Sequence, residues 1–302
     1  MSSRGTVDMA AVARAWTEQQ VWSRTASRLK AVVDRGRLAG LLLAGATAVL
    51  ATAATQVPGI PARILTATAA VTAGVAAIIN RRVGSDRIRE WTRARAASEG
   101  LKREVYSALA GGSDYAVEDP TAVLARRTAE IGDNVTDLRR HALGIEPVDR
   151  PLPSVTGADD YVVVRVDDQV ERFYRPRATA YDRRVRRLRL LGDALGVLAV
   201  GFSAVAAAFL VAELSLWVPV VTTLGVSLTA HLAAARYDPL VVTYLAAAQR
   251  LSRLGNDYLD GWLTGPELVD ECEDVISAEN QSWVARWNRA GVVDEPGPQA
   301  AP

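Results

Sequence analysis

Charged residues are spread along most of this chain, but four stretches exclude them, and that pattern limits the possible folds more than any other feature. From Leu38 to Ala62 there is no acidic or basic residue. The stretch ends in the breaker run Val57-Pro58-Gly59-Ile60-Pro61, which leaves 38–57 as the usable helix. At 1.5 Å per residue such a helix is roughly 30 Å long, one hydrocarbon core. Beyond Arg63 a second uncharged stretch covers 64–80; the third and fourth, 194–212 and 214–235, are separated by Glu213 alone. Each pair reads as a helical hairpin with a short turn. Two hairpins buried inside a soluble bundle are the competing reading, and the first hairpin, rich in Ala and Thr, scores weakly on transfer scales. The arginines at the hairpin flanks argue against it.

Those flanks also predict an orientation. Arg24, Arg28, Lys30, Arg35 and Arg37 precede the first hairpin and Arg81, Arg82, Arg87 and Arg89 follow it, while its turn holds only Arg63. The run from Arg183 to Arg189 leads into the second hairpin, whose turn carries Glu213 and no basic residue. The positive-inside rule puts both turns outside and both termini in the cytoplasm. An anionic-lipid or nucleic-acid patch is the other use of such an arginine run. A topology signal is the better reading beside an apolar segment. The net charge of +1 supplies no overall field for nucleic acid. All but two of the 35 basic residues are arginine, the lysines being Lys30 and Lys102, and with the abundant Ala and Val this hints at a GC-rich bacterial genome. The first residues lack the basic-then-apolar plan of a cleavable signal peptide, so internal segments are expected to direct insertion. The expected location is the inner membrane, multi-pass.

The halves superpose at a constant offset that carries Trp22 onto Tyr174, Ala26 onto Ala178, Arg37 onto Arg189, Leu38 onto Leu190 and Gly40 onto Gly192. Beyond the hairpins, Ile88, Trp91, Ser98, Leu101, Val105 and Leu109 share one helical face, as do Leu240, Tyr244, Ala248, Leu251, Tyr258 and Trp262. Asp238-Pro239 reads as a helix start. Pro147, Pro151, Pro153 and Gly157 mark a linker. The expected fold is an all-α membrane protein: two repeated transmembrane helical hairpins, four spans, with long amphipathic cytoplasmic helices. Its expected parts are residues 1–143, a linker at 144–159, a second repeat at 160–290 and a disordered tail at 291–302. Tyr161–Val166 has strand propensity, yet Val166, Val170, Phe173, Tyr174, Tyr181 and Val185 keep helical spacing. A helix capped by Asp159 or Asp160 and kinked at Pro176 is expected there.

Catalytic chemistry is not visible. There is no nucleophile elbow, phosphate-binding glycine loop or HExxH helix, and the chain has one cysteine, Cys272, and two histidines far apart, His141 and His231. No catalytic, cofactor-binding or metal-binding residue is expected, and no cofactor. The acidic group Glu267, Asp270, Glu271, Glu273 and Asp274 reads as solvated acids early in a helix. Thr264-Gly265-Pro266-Glu267 starts that helix, and its apolar stripe (Leu268, Cys272, Val275, Ile276) leaves most of the carboxylates outward. In the spans, Thr223, Ser227 and His231 share one face and form a candidate pore-facing polar stripe. Thr68 and Thr72 do likewise on the second span. Back-bonding and packing are the competing use of these hydroxyls and the favoured one. Small residues at Ala70 and Gly74, and at Gly192 and Gly196, let helices approach closely.

The arrangement resembles the SLATT family, two-transmembrane effectors associated with SMODS nucleotidyltransferases and SLOG domains. The second half carries the resemblance in Tyr161, Arg165, Gln169, Phe173-Tyr174 and Ala178 before the hairpin. At the end it continues in Cys272, Ile276-Ser277 and Glu279-Asn280-Gln281-Ser282-Trp283. The stretch from Trp16 to Gly112 looks like a divergent copy. What the resemblance implies is a pore-forming effector, switched on by a nucleotide signal during phage attack and harmful to its own cell. Its partners are then the lipid bilayer, further copies of itself and a nucleotide-signalling sensor or nucleotidyltransferase, with no nucleic acid. The other expectation is a membrane-anchored scaffold whose cytoplasmic helices recruit a partner protein. Exposed aromatic stripes favour scaffolding; stripes buried between the two halves favour a self-contained bundle.

Overall fold

The computed structural model describes residues 5–292 apart from 211 and 236, without the side chains of 212, 213, 230, 231, 233–235 and 279–292. All regular structure among the described residues is helical. The long helices are α1 Met9–Gln56, α2 Ile60–Arg82, α3 Ser85–Ala110, α4 Pro120–Asp133, α5 Ala158–Phe209, α6 Val218–Ala235, α7 Tyr237–Leu259 and α8 Gly265–Val292. Three helical stretches are long and apolar enough to cross a membrane: Met9–Gln56, Ile60–Ala110 and Ala158–Phe209.

Local chemistry sets the ends. Asp8 caps α1 by accepting from the Ala10 N–H at 2.9 Å, and Asp119 caps α4 through Ala122, with Pro120 next. Gly59, at φ 75°, makes the turn after α1, and Pro61 sits in the first turn of α2. Glu267 reaches back from the first turn of α8, its carboxylate accepting from the Thr264 N–H at 2.9 Å and the Thr264 hydroxyl at 2.7 Å, the acidic half of a capping box. The second hairpin turns earlier than its charge pattern predicts. Helix α5 stops at Phe209, and Leu210 takes φ 53°, a left-handed conformation that a side chain adopts at some cost. Asp238, the expected cap, lies inside the described helix Tyr237–Leu259, and its carboxylate meets Arg189 at 3.0 Å.

The chain divides into two compact units, each drawn from both halves of the sequence. A packed unit takes the segments up to Ala31, Ser85–Arg177 and from Thr243 on; an apolar unit takes Val32–Gly84 and Ala178–Val242. In the packed unit α3 lies against α8. Arg103 donates to Ser277 Oγ at 3.0 Å and Asp274 Oδ1 at 2.8 Å, and Asp270 accepts from the Ser113 N–H. The predicted stripes are largely inside: Trp91, Ser98, Leu101, Val105, Tyr244, Ala248 and Leu251 are all buried. Trp262 departs from its stripe. Helix α7 ends at Leu259, Gly261 turns the chain at φ 80°, and Trp262 is 81% exposed. The segment expected as a linker is pinned along α1. The Trp16 indole donates to the carbonyls of Arg150 and Pro151, Gln20 to Arg150, and Arg24 to Glu146.

In the apolar unit α1 and α2 approach closely, Gly40 facing Asn80 and Gly36 facing Val83, where no larger residue fits without displacement. The expected use of the α2 threonines is seen. Thr68 returns its hydroxyl to Ile64, and Thr72 bonds Ala69 and meets Thr47 at 2.9 Å. Of the most apolar 18-residue stretch in each membrane-length helix, only 6%, 11% and 0% is buried.

Candidate functional site

The entry to α5 has an irregular backbone with a reason in the sequence. Buried residues recur there in pairs four apart, Tyr161-Val162, Arg165-Val166 and Gln169-Val170, and then at Tyr174 and Ala178. A four-residue repeat outruns the 3.6 residues of an α turn and walks around the helix. Wider i→i+5 turns take up the difference. Val162–Asp167 and Gln169–Tyr174 are π-helical, and the α register begins at Arg175. The irregularity expected at Pro176 therefore lies before it. Pro176 stands just after the α register is restored at Arg175, within the continuous helix Ala158–Phe209. The expected cap is also replaced: Asp160 reaches back to Thr156, and Asp159 accepts from the Tyr258 hydroxyl at 2.7 Å.

The start of α5 aims Tyr161, just before the first π turn, and Arg165, within it, at α8. Arg165 Nε donates to Glu273 Oε1 at 2.8 Å and Nη2 to Oε2 at 3.0 Å, a bidentate pair, and the Tyr161 hydroxyl adds a third bond at 3.0 Å. Arg165 is 1% and Glu273 0% exposed. The guanidinium lies over the Tyr106 ring, 4.5 Å from its centroid, and Tyr106 meets Trp16 and Tyr161 edge-on at 6.3 Å each. Arg165 Nη1 is buried and has no hydrogen-bond partner among the described residues. A second buried carboxylate, Glu104, accepts from the Tyr115 hydroxyl at 2.6 Å and faces Arg127 at 3.5 Å. Arg127 continues to Asp114 at 2.7 Å.

The electrostatics lock protons in place rather than move them. Burial acts against the Arg165 charge, but Glu273 more than compensates and holds its affinity for the proton above the ordinary arginine range. Burial raises the Tyr161 hydroxyl well above its usual value, with Glu273 adding to it. Burial likewise pushes the Cys272 thiol up to about 12, which leaves it inert as a nucleophile. Lys102 moves the other way: burial, then the Arg165 charge, push it down to about 8. Among the described residues no three His, Cys, Asp or Glu side chains come together as a metal site. The arrangement is a buried clasp between α5 and α8, suited to fixing one packing of the helices.

This clasp corrects one expectation. Glu267, Glu271 and Asp274 are exposed as predicted, but Glu273 is among the least accessible residues of the chain. It follows Cys272 in the stripe that the sequence reading traced, so it lies beside the apolar face, and the buried Arg165 supplies the charge that lets it enter. The family-like residues before the hairpin are core residues here: Tyr161, Arg165, Gln169, Tyr174 and Ala178 are all buried. Of those at the end, Cys272 and Ile276 are buried and Ser277 takes the Arg103 bond. The side chains of Glu279, Asn280, Gln281, Ser282 and Trp283 lie outside the described residues. On α6, Thr223 is exposed and Ser227 half-buried, while the His231 side chain lies outside the described residues. Thr222 and Thr229 return their hydroxyls to Val218 and Gly225; among the described residues no such bond forms at Thr223 or Ser227.

Two family models match the chain, one in each half. Residues 20–122 match a family described only as a protein of unknown function, DUF4231. No curated protein and no solved structure matches. Residues 161–283 run from the first residue of the clasp, through both helices of the second hairpin, to the family-like motif on α8. Over that span they match the SMODS and SLOG-associating 2TM effector domain, so the second half of this chain is similar to a SLATT domain.

Proposed function

We propose that the chain is a bacterial inner-membrane effector that oligomerises and forms a pore, or otherwise perturbs the bilayer, when activated. One observation carries the reading. Helices long enough to span a hydrocarbon core leave their most apolar stretches almost entirely unburied, within a chain whose second half is similar to a SLATT effector domain. Lipid is the solvent that such surfaces require. The reading takes all four uncharged stretches as spans, both turns outside and both termini in the cytoplasm. Four spans enclose too little space for a wide passage, so several copies are needed. The Thr223 and Ser227 hydroxyls, with His231 two turns on, are the proposed lining. The activating partner is a nucleotide-signalling protein. A scaffold role draws less support: the aromatic stripes are consumed in the packed unit, and Leu259 and Trp262 are the large exposed residues left at the end of α7.

Membrane potential and viability after tightly induced expression test the proposal, with intact protein compared with a Thr223→Leu/Ser227→Leu/His231→Leu variant. Depolarisation by the intact protein, lost in a variant that still inserts, is expected. Depolarisation by both keeps the effector and discards the lining. Depolarisation by neither, with the activating enzyme co-expressed, overturns the pore.

A further inference from the structure

The basic residues of the run at the head of the second hairpin are not equivalent. Arg186 is paired with Asp182, and Arg189 with Asp238 at 3.0 Å. Arg184 lies over the Tyr237 ring, 5.7 Å from its centroid, and that ring stacks on Tyr181 at 5.3 Å. Arg183 and Arg187 differ: both are exposed, and among the described residues neither has an acidic partner. They stand one turn apart, so their guanidinium groups rise from neighbouring points of one face.

That face continues into the apolar surface. At about 100° per residue, Arg183, Arg187, Leu190, Ala194 and Val197 fall on one side of α5. Ala178 and Val185, which are buried, fall on the other. Leu190 is 69% and Val197 73% exposed. Two unneutralised guanidinium groups thus head a stripe that needs acyl chains for solvent. The stacked Tyr181 and Tyr237 sit at the same level, the place of an interfacial aromatic belt. A guanidinium binds phosphate oxygens through paired N–H groups, and a pair of them one turn apart can hold a single headgroup from two sides.

We propose that Arg183 and Arg187 grip the phosphate of an anionic phospholipid at the rim of the second hairpin, in preference to a neutral one. The inference rests on the reading of α5 as a membrane span. It goes beyond a topology signal, which depends on the number of positive charges and not on which arginines are already paired.

The test uses the full chain in detergent, titrated with phosphatidylglycerol or phosphatidylcholine, with bound lipid counted by native mass spectrometry. The intact protein retains phosphatidylglycerol preferentially. Arg183→Gln/Arg187→Gln loses that preference by roughly fivefold per arginine, roughly 25-fold in all. Arg186→Gln/Arg189→Gln, which removes equal charge, keeps it within about threefold. Equal losses in the two variants, or no loss in the first, overturn the assignment. So does displacement of the lipid by inorganic phosphate or a short DNA duplex at the concentration of lipid phosphate. Alkaline washing of membranes separates the two readings. A chain that washes off defeats the membrane span and this inference with it, whereas a chain that stays but shows no lipid preference defeats the inference alone.

Discussion

Both units of this molecule are built from long helices, yet of the largest fully buried side chains all but Val33 belong to the packed unit. In the packed unit Leu101, Leu124, Leu251 and Leu268 are at most 1% exposed, although its helices are laced with charge. In the apolar unit Ile64, Val71, Leu190 and Val200 are 60–70% exposed, although its helices carry the longest uncharged stretches in the chain. Hydrophobicity and burial therefore run in opposite directions. A helix with an apolar stripe and a polar back must find a protein partner for the stripe. A helix apolar all round needs an apolar solvent, and in lipid it gains little by packing against its neighbour. The comparison teaches that the stability of this chain in solution resides in the packed unit, where charge and ring contacts specify one arrangement.

The largest test of that contrast is the clasp. Glu273→Ala leaves the Arg165 guanidinium buried and unpaired, and a loss of about 3–5 kcal/mol is expected from the packed unit. Thermal unfolding of the detergent-solubilised chain, followed by tryptophan fluorescence, reads it. Replacing both partners, Arg165→Met with Glu273→Leu, is expected to recover most of the loss, because the cost lies in the orphaned charge. A double variant as unstable as the single one breaks the argument. The next effect is a matched pair of truncations. Leu101→Ala, at 0% exposure, is expected to cost about 2–5 kcal/mol. Val197→Ala, at 73% exposure, is expected to change stability by no more than about 0.5 kcal/mol. Similar shifts in the two would mean that Val197 is packed as Leu101 is, and the contrast between the units would fail.

The same contrast explains what could be read in advance. Charge exclusion and flanking arginines announce the apolar helices, because a single residue such as Glu213 is enough to interrupt the pattern. Stripes at helical spacing announced α3 and α7 for a similar reason, and Thr264 with Glu267 announced the start of α8. The clasp was harder, since its partners Arg165 and Glu273 lie far apart in sequence and each is unremarkable alone. Glu273 was hidden among four other acids, and nothing local shows which of five carboxylates meets a buried guanidinium. The π turns did leave a trace: four consecutive pairs of large residues at a strict spacing of four, ending at Phe173-Tyr174, exceed what an α-helix keeps on one face. The interleaving of the halves left none, because a repeat in sequence does not say whether each copy packs on itself or on the other.

Lys102 offers the finest discrimination, because it titrates inside the packed unit. Burial and the neighbouring Arg165 lower it from 10.5 to about 8, so the folded chain holds this proton less tightly than the unfolded one. Below pH 8 both states are protonated, and the cost of a half-buried ammonium beside Arg165 weighs fully on the folded state. Between about 8 and 10.5 the unfolded chain carries the proton and the folded chain does not, so stability rises with pH through that window. Lys102→Met removes the cost. It is expected to raise the melting temperature modestly at pH 7, with a gain that shrinks as the pH passes 8. The scarcity of lysine permits an independent reading. Lys30 and Lys102 are the only two in the chain, and Lys30 lies 5.5 Å over the Trp91 ring, a contact that its modification would disturb. A small amine-directed reagent at pH 8.5 should modify Lys102 ahead of Lys30, as seen by peptide mass spectrometry, and the order should disappear on unfolding. If Lys30 reacts first in the folded chain, Lys102 is not the desolvated amine that the packing around Arg165 requires, and the interior of the packed unit is wetter than its burial implies.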